Sequence, residues 1–201
     1  MAKNHLPAPE RNSRPIRPIG LISLIGPISP ISPISPISPT PPSPMTTQDQ
    51  HFMQQAIDLS IDNVANGGGP FGAVIVRDGE VIASGVNRVT ANNDPTAHAE
   101  VTAIRAACQK VHSFKLKGCT IYTSCEPCPM CLSAIYWAGI SRICFANTKQ
   151  DAEDIYFGDK FIYEEIERPI GKRSIPTEQF MRDEAMQAFR KWEEKPDKIE
   201  Y

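Results

Sequence analysis

One histidine and two cysteines have the spacing and neighbours of a metal site. Cys128 and Cys131 are separated by two residues, and His98 lies upstream with Glu100 two positions after it. Thiolate sulfur and imidazole nitrogen bind Zn²⁺ well, and three protein ligands leave a fourth position for water, as in catalytic zinc sites. Glu100 can reach a water at that position and move its proton. We therefore predict one Zn²⁺ per chain, bound by His98, Cys128 and Cys131, with Glu100 as the proton shuttle.

The remaining cysteines allow other interpretations that fit less well. With Cys125 the run reads Cys-x-x-Cys-x-x-Cys, which partly matches an iron–sulfur motif, but Ile135 stands where the fourth cysteine is expected. A closed structural zinc site needs a fourth ligand, commonly from a second paired motif. No secretory signal precedes the cysteines, so we predict reduced thiols in a cytoplasmic protein. Three others are predicted to be small buried apolar residues: Cys108, Cys119 and Cys144.

The two halves of the motif are predicted at the starts of two helices. Helix N-termini lower the pKa of a thiol and favour the thiolate that zinc requires. Pro129 suits the first turn of its helix, where a missing N–H costs little. His-x-Glu followed by Pro-Cys-x-x-Cys is the pattern of zinc nucleobase deaminases, in which the glutamate stays outside the metal shell.

Alternating helix and strand patterns surround these motifs. Asp78-Gly79 between two apolar runs predicts a hairpin. Helices are predicted over 52–64, 98–110 and 130–138, the last apolar on most faces and so buried, with weaker patterns at 151–156 and 177–192. Strands are predicted over 73–76, 81–83, 120–123 and 142–146. Strand–helix–strand order predicts a parallel-containing sheet covered by helices, an α/β sandwich.

Composition divides the 201-residue chain into a tail, 1–44, and a domain, 45–201. Twelve of the 19 prolines fall in the tail, which carries a charge of +3, whereas the domain carries −5. Pro-Ile-Ser repeats predict a polyproline-II-like tether without helix or sheet. Met45 is a candidate natural start, and the alternative is that the tail binds a proline-recognising module. No apolar run approaches the roughly 20 residues of a membrane span.

Longer strings carry a resemblance to a known family. They are residues 69–76, 93–105, 123–131 and 134–138. Through them the sequence resembles the cytidine-deaminase-like zinc deaminase superfamily, and within it the bacterial guanine deaminases. The similarity extends from about residue 52 to residue 201.

The resemblance implies a three-layer α/β/α sandwich with a mixed central sheet. It also implies hydrolysis of guanine to xanthine and ammonia in purine metabolism, with the zinc ligands and Glu100 as above. Implied substrate contacts are Asn87, Phe71, Asp159 and Tyr201. Relatives often carry two acids near the substrate, whereas here Gly158 precedes Asp159. The resemblance further implies a homodimer in which a swapped C-terminal segment ending in tyrosine closes each pocket.

The sequence leaves several substrates open. Guanosine, cytosine and other aminated heterocycles require only a different pocket shape around the same zinc chemistry. A tRNA adenosine deaminase shares the motif, but it must bind a phosphate backbone, which a domain of charge −5 disfavours. A non-catalytic zinc scaffold is the alternative from another class, and the presence of Glu100 argues against it.

Overall fold

The computed structural model describes residues 44–200, so the prediction for residues 1–44 and the role predicted for Tyr201 lie almost wholly outside it. The α-helices are α1 Thr47–Ala65, α2 Val89–Asn92, α3 Ala99–Val111, α4 Pro129–Ala138, α5 Lys149–Asp154, α6 Lys160–Glu167 and α7 Arg182–Glu194. A 3₁₀ turn covers Ile170–Lys172. The strands are β1 Gly72–Arg77, β2 Glu80–Val86, β3 Thr120–Cys125 and β4 Arg142–Asn147.

The four strands form a mixed sheet in the order β2-β1-β3-β4. β1 and β2 are antiparallel, and their turn places both Asp78 and Gly79 at positive φ, which the predicted Asp-Gly hairpin tolerates. β1 is also antiparallel to β3, whereas β3 and β4 are parallel and connected through α4. The predicted strand–helix–strand unit is therefore confirmed.

Helices cover both faces of the sheet, which confirms the three-layer α/β/α sandwich. Successive β1 side chains point to opposite faces. Ala73 and Ile75 belong to the core beneath α3 and α4, and Val74 and Val76 belong to the core beneath α1.

Two glycines allow the helices to approach the sheet closely. A Cβ on Gly85 would lie 2.4 Å from the carbonyl oxygen of Ala99, in the first turn of α3. A Cβ on Gly72 would lie 2.3 Å from the carbonyl oxygen of Ala56 in α1. Contacts this short exclude any side chain, so Gly85 determines how closely the start of α3 lies on β2.

Several element predictions need correction. α1 begins at Thr47, five residues earlier than predicted, because Thr46 and Asp49 form a capping box. The prediction that α4 is buried is wrong for one face, since Tyr136 is 76% exposed and Trp137 is also exposed. α6 was not predicted, and α7 begins at Arg182 rather than at residue 177. Among residues 44–200 no helix is long and apolar enough to cross a membrane.

Candidate active site

The three predicted zinc ligands converge at the N-terminal ends of two helices. His98 is the N-cap of α3, Cys128 is the N-cap of α4, and Cys131 lies in the first turn of α4. Their ligand atoms all lie within 4.8 Å of one another, and His98 Nδ1 is 3.5 Å from both the Cys128 and the Cys131 Sγ. Tetrahedral zinc, with its usual bond lengths, separates nitrogen and sulfur ligands by about 3.5 Å. The cluster therefore has the dimensions and the donor chemistry of a zinc site.

Electrostatics favour an anionic sulfur at this position. The pKa of Cys128 is lowered to about 4, because its Sγ accepts hydrogen bonds from Cys131 and from His98. The pKa of His98 is raised by the same contact with Cys128. Pro129 occupies the first helical position of α4, where its missing N–H leaves no bond unmade. The hydrogen bond with Cys128 raises the pKa of Cys131, so the cluster favours a thiolate at Cys128, and Cys131 must release its proton when zinc binds.

Glu100 lies beside the cluster without belonging to it. Its side chain is in the first turn of α3 and is only 7% exposed. Burial raises its pKa, which brings the carboxyl nearer to the range useful for proton transfer around neutral pH. Glu100 lines the same cavity as His98 and Cys128.

That cavity has a volume of about 610 Å³ and contains three of the predicted substrate contacts. They are Phe71, Asn87 and Asp159. Asn87 is buried, and its Oδ1 accepts the backbone N–H of Val89 at 3.3 Å, which orients the side-chain amide. The geometry brings together residues that are up to 88 positions apart in the sequence.

Two aromatic rings form an apolar wall of the cavity. Phe157 packs edge-on against Phe71, with ring centroids 5.1 Å apart. Asp159 follows as the N-cap of α6, half-buried, and its pKa is raised first by burial and then by the charge of Cys128. A Cβ on Gly158 would lie 3.1 Å from Glu153 Cγ, so a side chain there requires Glu153 to move.

A family model for the cytidine and deoxycytidylate deaminase zinc-binding region matches residues 46–147. The chain belongs to this family. The matched residues include the ligand cluster and Glu100, so the prediction of a zinc cofactor is confirmed by family and by geometry together.

Relatives of this deaminase differ in how much of the chain they match. A guanine deaminase of Bacillus subtilis is 50% identical over 75% of this chain and 97% of its own length. The crystal structure of a guanine deaminase from Bacillus subtilis has a TM-score of 0.75 and 49% identity, covering 78% of this chain and 99% of that one. A tRNA-specific adenosine deaminase of Agrobacterium fabrum is 42% identical over 55% of this chain and 73% of its own length.

Sequence reasoning missed several residues of the deaminase cavity. Phe157 and Glu126 line it, as do the glycines 67–69, Lys149 and Ile162. Glu126 lies within residues 123–131, one of the strings that carry the family resemblance. Its place in that string is the sequence feature that could have marked it as a cavity residue. Cys125 also lines the cavity but is not in the ligand cluster. Burial raises its pKa to about 11, and its Sγ lies 3.5 Å from the carbonyl oxygen of Thr148.

Proposed function

We propose that the protein catalyses the zinc-dependent hydrolysis of guanine to xanthine and ammonia. The observation that carries the proposal is the buried Glu100 beside the His98, Cys128 and Cys131 cluster in a cavity large enough for a purine. The choice of guanine as substrate is supported by the guanine deaminase of Bacillus subtilis, because the match covers almost the whole length of that relative.

His98, Cys128 and Cys131 are the residues that hold zinc in this proposal. Zinc bound at such a site lowers the pKa of a water ligand and supplies hydroxide near neutral pH. The remaining steps are proton transfers and positioning by residues of the chain.

Glu100 moves the protons of the reaction. Its carboxylate accepts the proton of the attacking water and delivers it to N3 of guanine while the hydroxyl oxygen adds to C2. The carboxylate then accepts the proton of the new C2 hydroxyl and delivers it to the 2-amino group. The C2–N bond breaks, ammonia leaves, and the C2 carbonyl of xanthine forms. Burial raises the pKa of Glu100, which favours its acting as both proton acceptor and proton donor.

The substrate is recognised by hydrogen bonds and by stacking. Asn87 presents its oriented amide to the purine edge, and Phe71 contacts the ring together with Phe157. Asp159 also lines the cavity and is available to hydrogen-bond the purine. A pocket built on hydrogen bonds rejects analogues that lack the bonded group more strongly than an apolar pocket does.

The same proposal includes a cytoplasmic homodimer acting in purine metabolism, with exchange of C-terminal segments. Support comes from the large apolar side chains that the C-terminal region leaves exposed. They are Phe161, Ile166, Ile170, Ile175, Phe180, Met181, Phe189, Trp192 and Ile199. An amphipathic segment with so many exposed anchors is typical of one that packs on another chain. A cytoplasmic location is supported by the zinc ligands Cys128 and Cys131, which must stay reduced to bind the metal.

A substrate panel tests the proposal. Zinc-loaded protein is assayed for ammonia release from guanine, guanosine, cytosine and a tRNA anticodon stem-loop at equal concentrations. We expect guanine to have the highest kcat/KM by at least about a hundredfold, the discrimination that missing polar partners produce. A preference for the stem-loop would replace the proposal with tRNA editing.

A further inference from the structure

Glu126 forms a side-chain bridge between two parts of the site that are far apart in sequence. It belongs to the zinc loop, residues 125–128, which ends at Cys128. Its Oε2 accepts the backbone N–H of Lys149 at 3.1 Å, and its own N–H donates to the carbonyl oxygen of Asn147 at 2.8 Å. Lys149 begins α5 and the wall segment, residues 149–163, which carries Phe157 and Asp159 to the cavity.

A second side-chain hydrogen bond between the zinc loop and the wall segment is longer. Tyr163 Oη donates to the carbonyl oxygen of Pro127 at 3.4 Å. Hydrogen bonds to a carboxylate are roughly twice as strong as those between neutral groups. Two side-chain hydrogen bonds join the zinc loop to the wall segment within residues 44–200, and the Glu126–Lys149 bond is the shorter one and the one with a charged acceptor.

We infer that Glu126 is a positioning residue of the active site: by accepting the N–H of Lys149, it holds the wall segment with Phe157 and Asp159 at a fixed distance from the zinc ligands. Glu126 itself makes no contact with the reacting atoms in this assignment. The expected effect of Glu126 on guanine kinetics rests on the proposed function, whereas its role in holding the wall segment does not.

The hydrogen bond between Glu126 and Lys149 can be removed by replacing the acceptor side chain or by replacing the donor residue with proline. Lys149 is the first residue of α5, where proline is well tolerated, and Thr148 before it has the extended backbone that a following proline requires. Lys149→Pro removes the donated N–H together with the ammonium, whereas Lys149→Ala removes only the ammonium. Glu126→Ala is therefore introduced into each of these two backgrounds.

Hydrogen exchange of peptides covering residues 150–163 measures how firmly the wall segment is held. In the Lys149→Ala background we expect Glu126→Ala to speed exchange about tenfold, the effect of one lost bond to a charged acceptor. In the Lys149→Pro background we expect less than about a twofold change, because the bond is already absent. Equal effects in both backgrounds, or none in either, would overturn the inference.

Conservative replacement gives a second test that needs no proline. Glu126→Gln keeps an acceptor oxygen but loses the charge, so its exchange should lie between that of the wild type and the roughly tenfold faster exchange of Glu126→Ala. If the glutamine variant behaves like the alanine variant, an acceptor at this position is not what holds the wall segment, and the inference fails.

Kinetics then separate positioning from direct chemistry. Glu126→Ala should raise KM for guanine about tenfold and change kcat less than about threefold, because it weakens the placement of binding residues and leaves the proton shuttle intact. Zinc content should stay at one per chain. A wild type that does not turn over guanine would end the proposed function, while the exchange experiment would still decide the role of Glu126.

Discussion

The side-chain amide of Asn63 supports the backbone of Asn87 from beneath the cavity: Asn63 Nδ2 lies 2.9 Å from the carbonyl oxygen of Asn87. The same nitrogen donates to the carbonyl oxygen of Gly69 at 2.8 Å. Asn63 is buried near the C-terminal end of α1. This helix therefore fixes the position of the loop with glycines 67–69 and of Asn87, the residue proposed to hydrogen-bond the purine.

Asn63→Asp should weaken substrate binding and stability together. The carboxylate cannot donate, and it would place a negative oxygen against two carbonyl oxygens in a buried site. We expect a loss of about 1–3 kcal/mol in the free energy of unfolding and a rise in KM for guanine. Chemical denaturation and steady-state kinetics measure the two effects. Asn66→Asp is the matched control, since Asn66 is exposed on the same turn; equal losses in both variants would contradict the account.

Cys128→Ser should abolish stoichiometric zinc binding. Serine cannot supply the thiolate that the helix N-terminus and the neighbouring Cys131 and His98 stabilise at this position. Cys125→Ser is the control, because Cys125 is a buried cysteine of the same loop outside the ligand cluster. Metal analysis after dialysis should give close to zero zinc per chain for the first variant and one for the second. Retention of zinc by Cys128→Ser would remove it from the ligand set.

Asp49 should make the fold sensitive to acid. The Arg142 guanidinium and the Tyr122 hydroxyl, each 2.6 Å from Asp49 Oδ1, hold the pKa of this buried carboxyl well below its usual range. A carboxyl whose pKa is lower in the folded state stabilises the fold above its unfolded pKa of about 3.9, and this contribution is lost as the pH falls.

The pH dependence of unfolding distinguishes Asp49 from an ordinary surface acid. Asp49→Asn should be less stable than wild type by about 1–3 kcal/mol at pH 7, and the difference should narrow below about pH 4. Asp58→Asn, an exposed position on the same helix, should match the wild type throughout. A pH-independent difference for Asp49→Asn would show that packing, rather than charge, is responsible.

The exposed apolar face of α7 should hold the proposed dimer together. Phe189 is 67% exposed within one chain, and Trp192 lies one turn further along the helix. Phe189→Asp should shift the mass measured by light scattering from dimer towards monomer, because it buries a charge in the interface. Arg190→Ala on the same helix should leave the mass unchanged. A monomeric wild type at micromolar concentration would contradict the proposed exchange of segments.

The sequence was sufficient for the parts of the site that depend on local pattern. His98, Cys128 and Cys131 were recognisable because their residue types and helix-start positions carry the metal chemistry. The hairpin at Asp78-Gly79 followed in the same way from turn geometry.

Other features depend on tertiary neighbours that no local pattern specifies. Ile61 and Val64 fit the apolar spacing of α1, yet both are exposed, whereas Asn63 between them is buried because two carbonyl groups need its amide. Glu126 had no predicted role, since its partner Lys149 is 23 positions away. Buried polar side chains that serve backbone groups become apparent only when the fold brings those groups together.

Guanine turnover by matched wild-type and Glu100→Gln proteins tests the central claim most directly. Both proteins are loaded with zinc, the metal is counted, and xanthine and ammonia are measured together. The account predicts equal release of both products by the wild type. It also predicts a loss of kcat of about a thousandfold in Glu100→Gln with zinc unchanged, since glutamine cannot move the protons. No product from a wild type holding one zinc per chain, or undiminished turnover by Glu100→Gln, would contradict it.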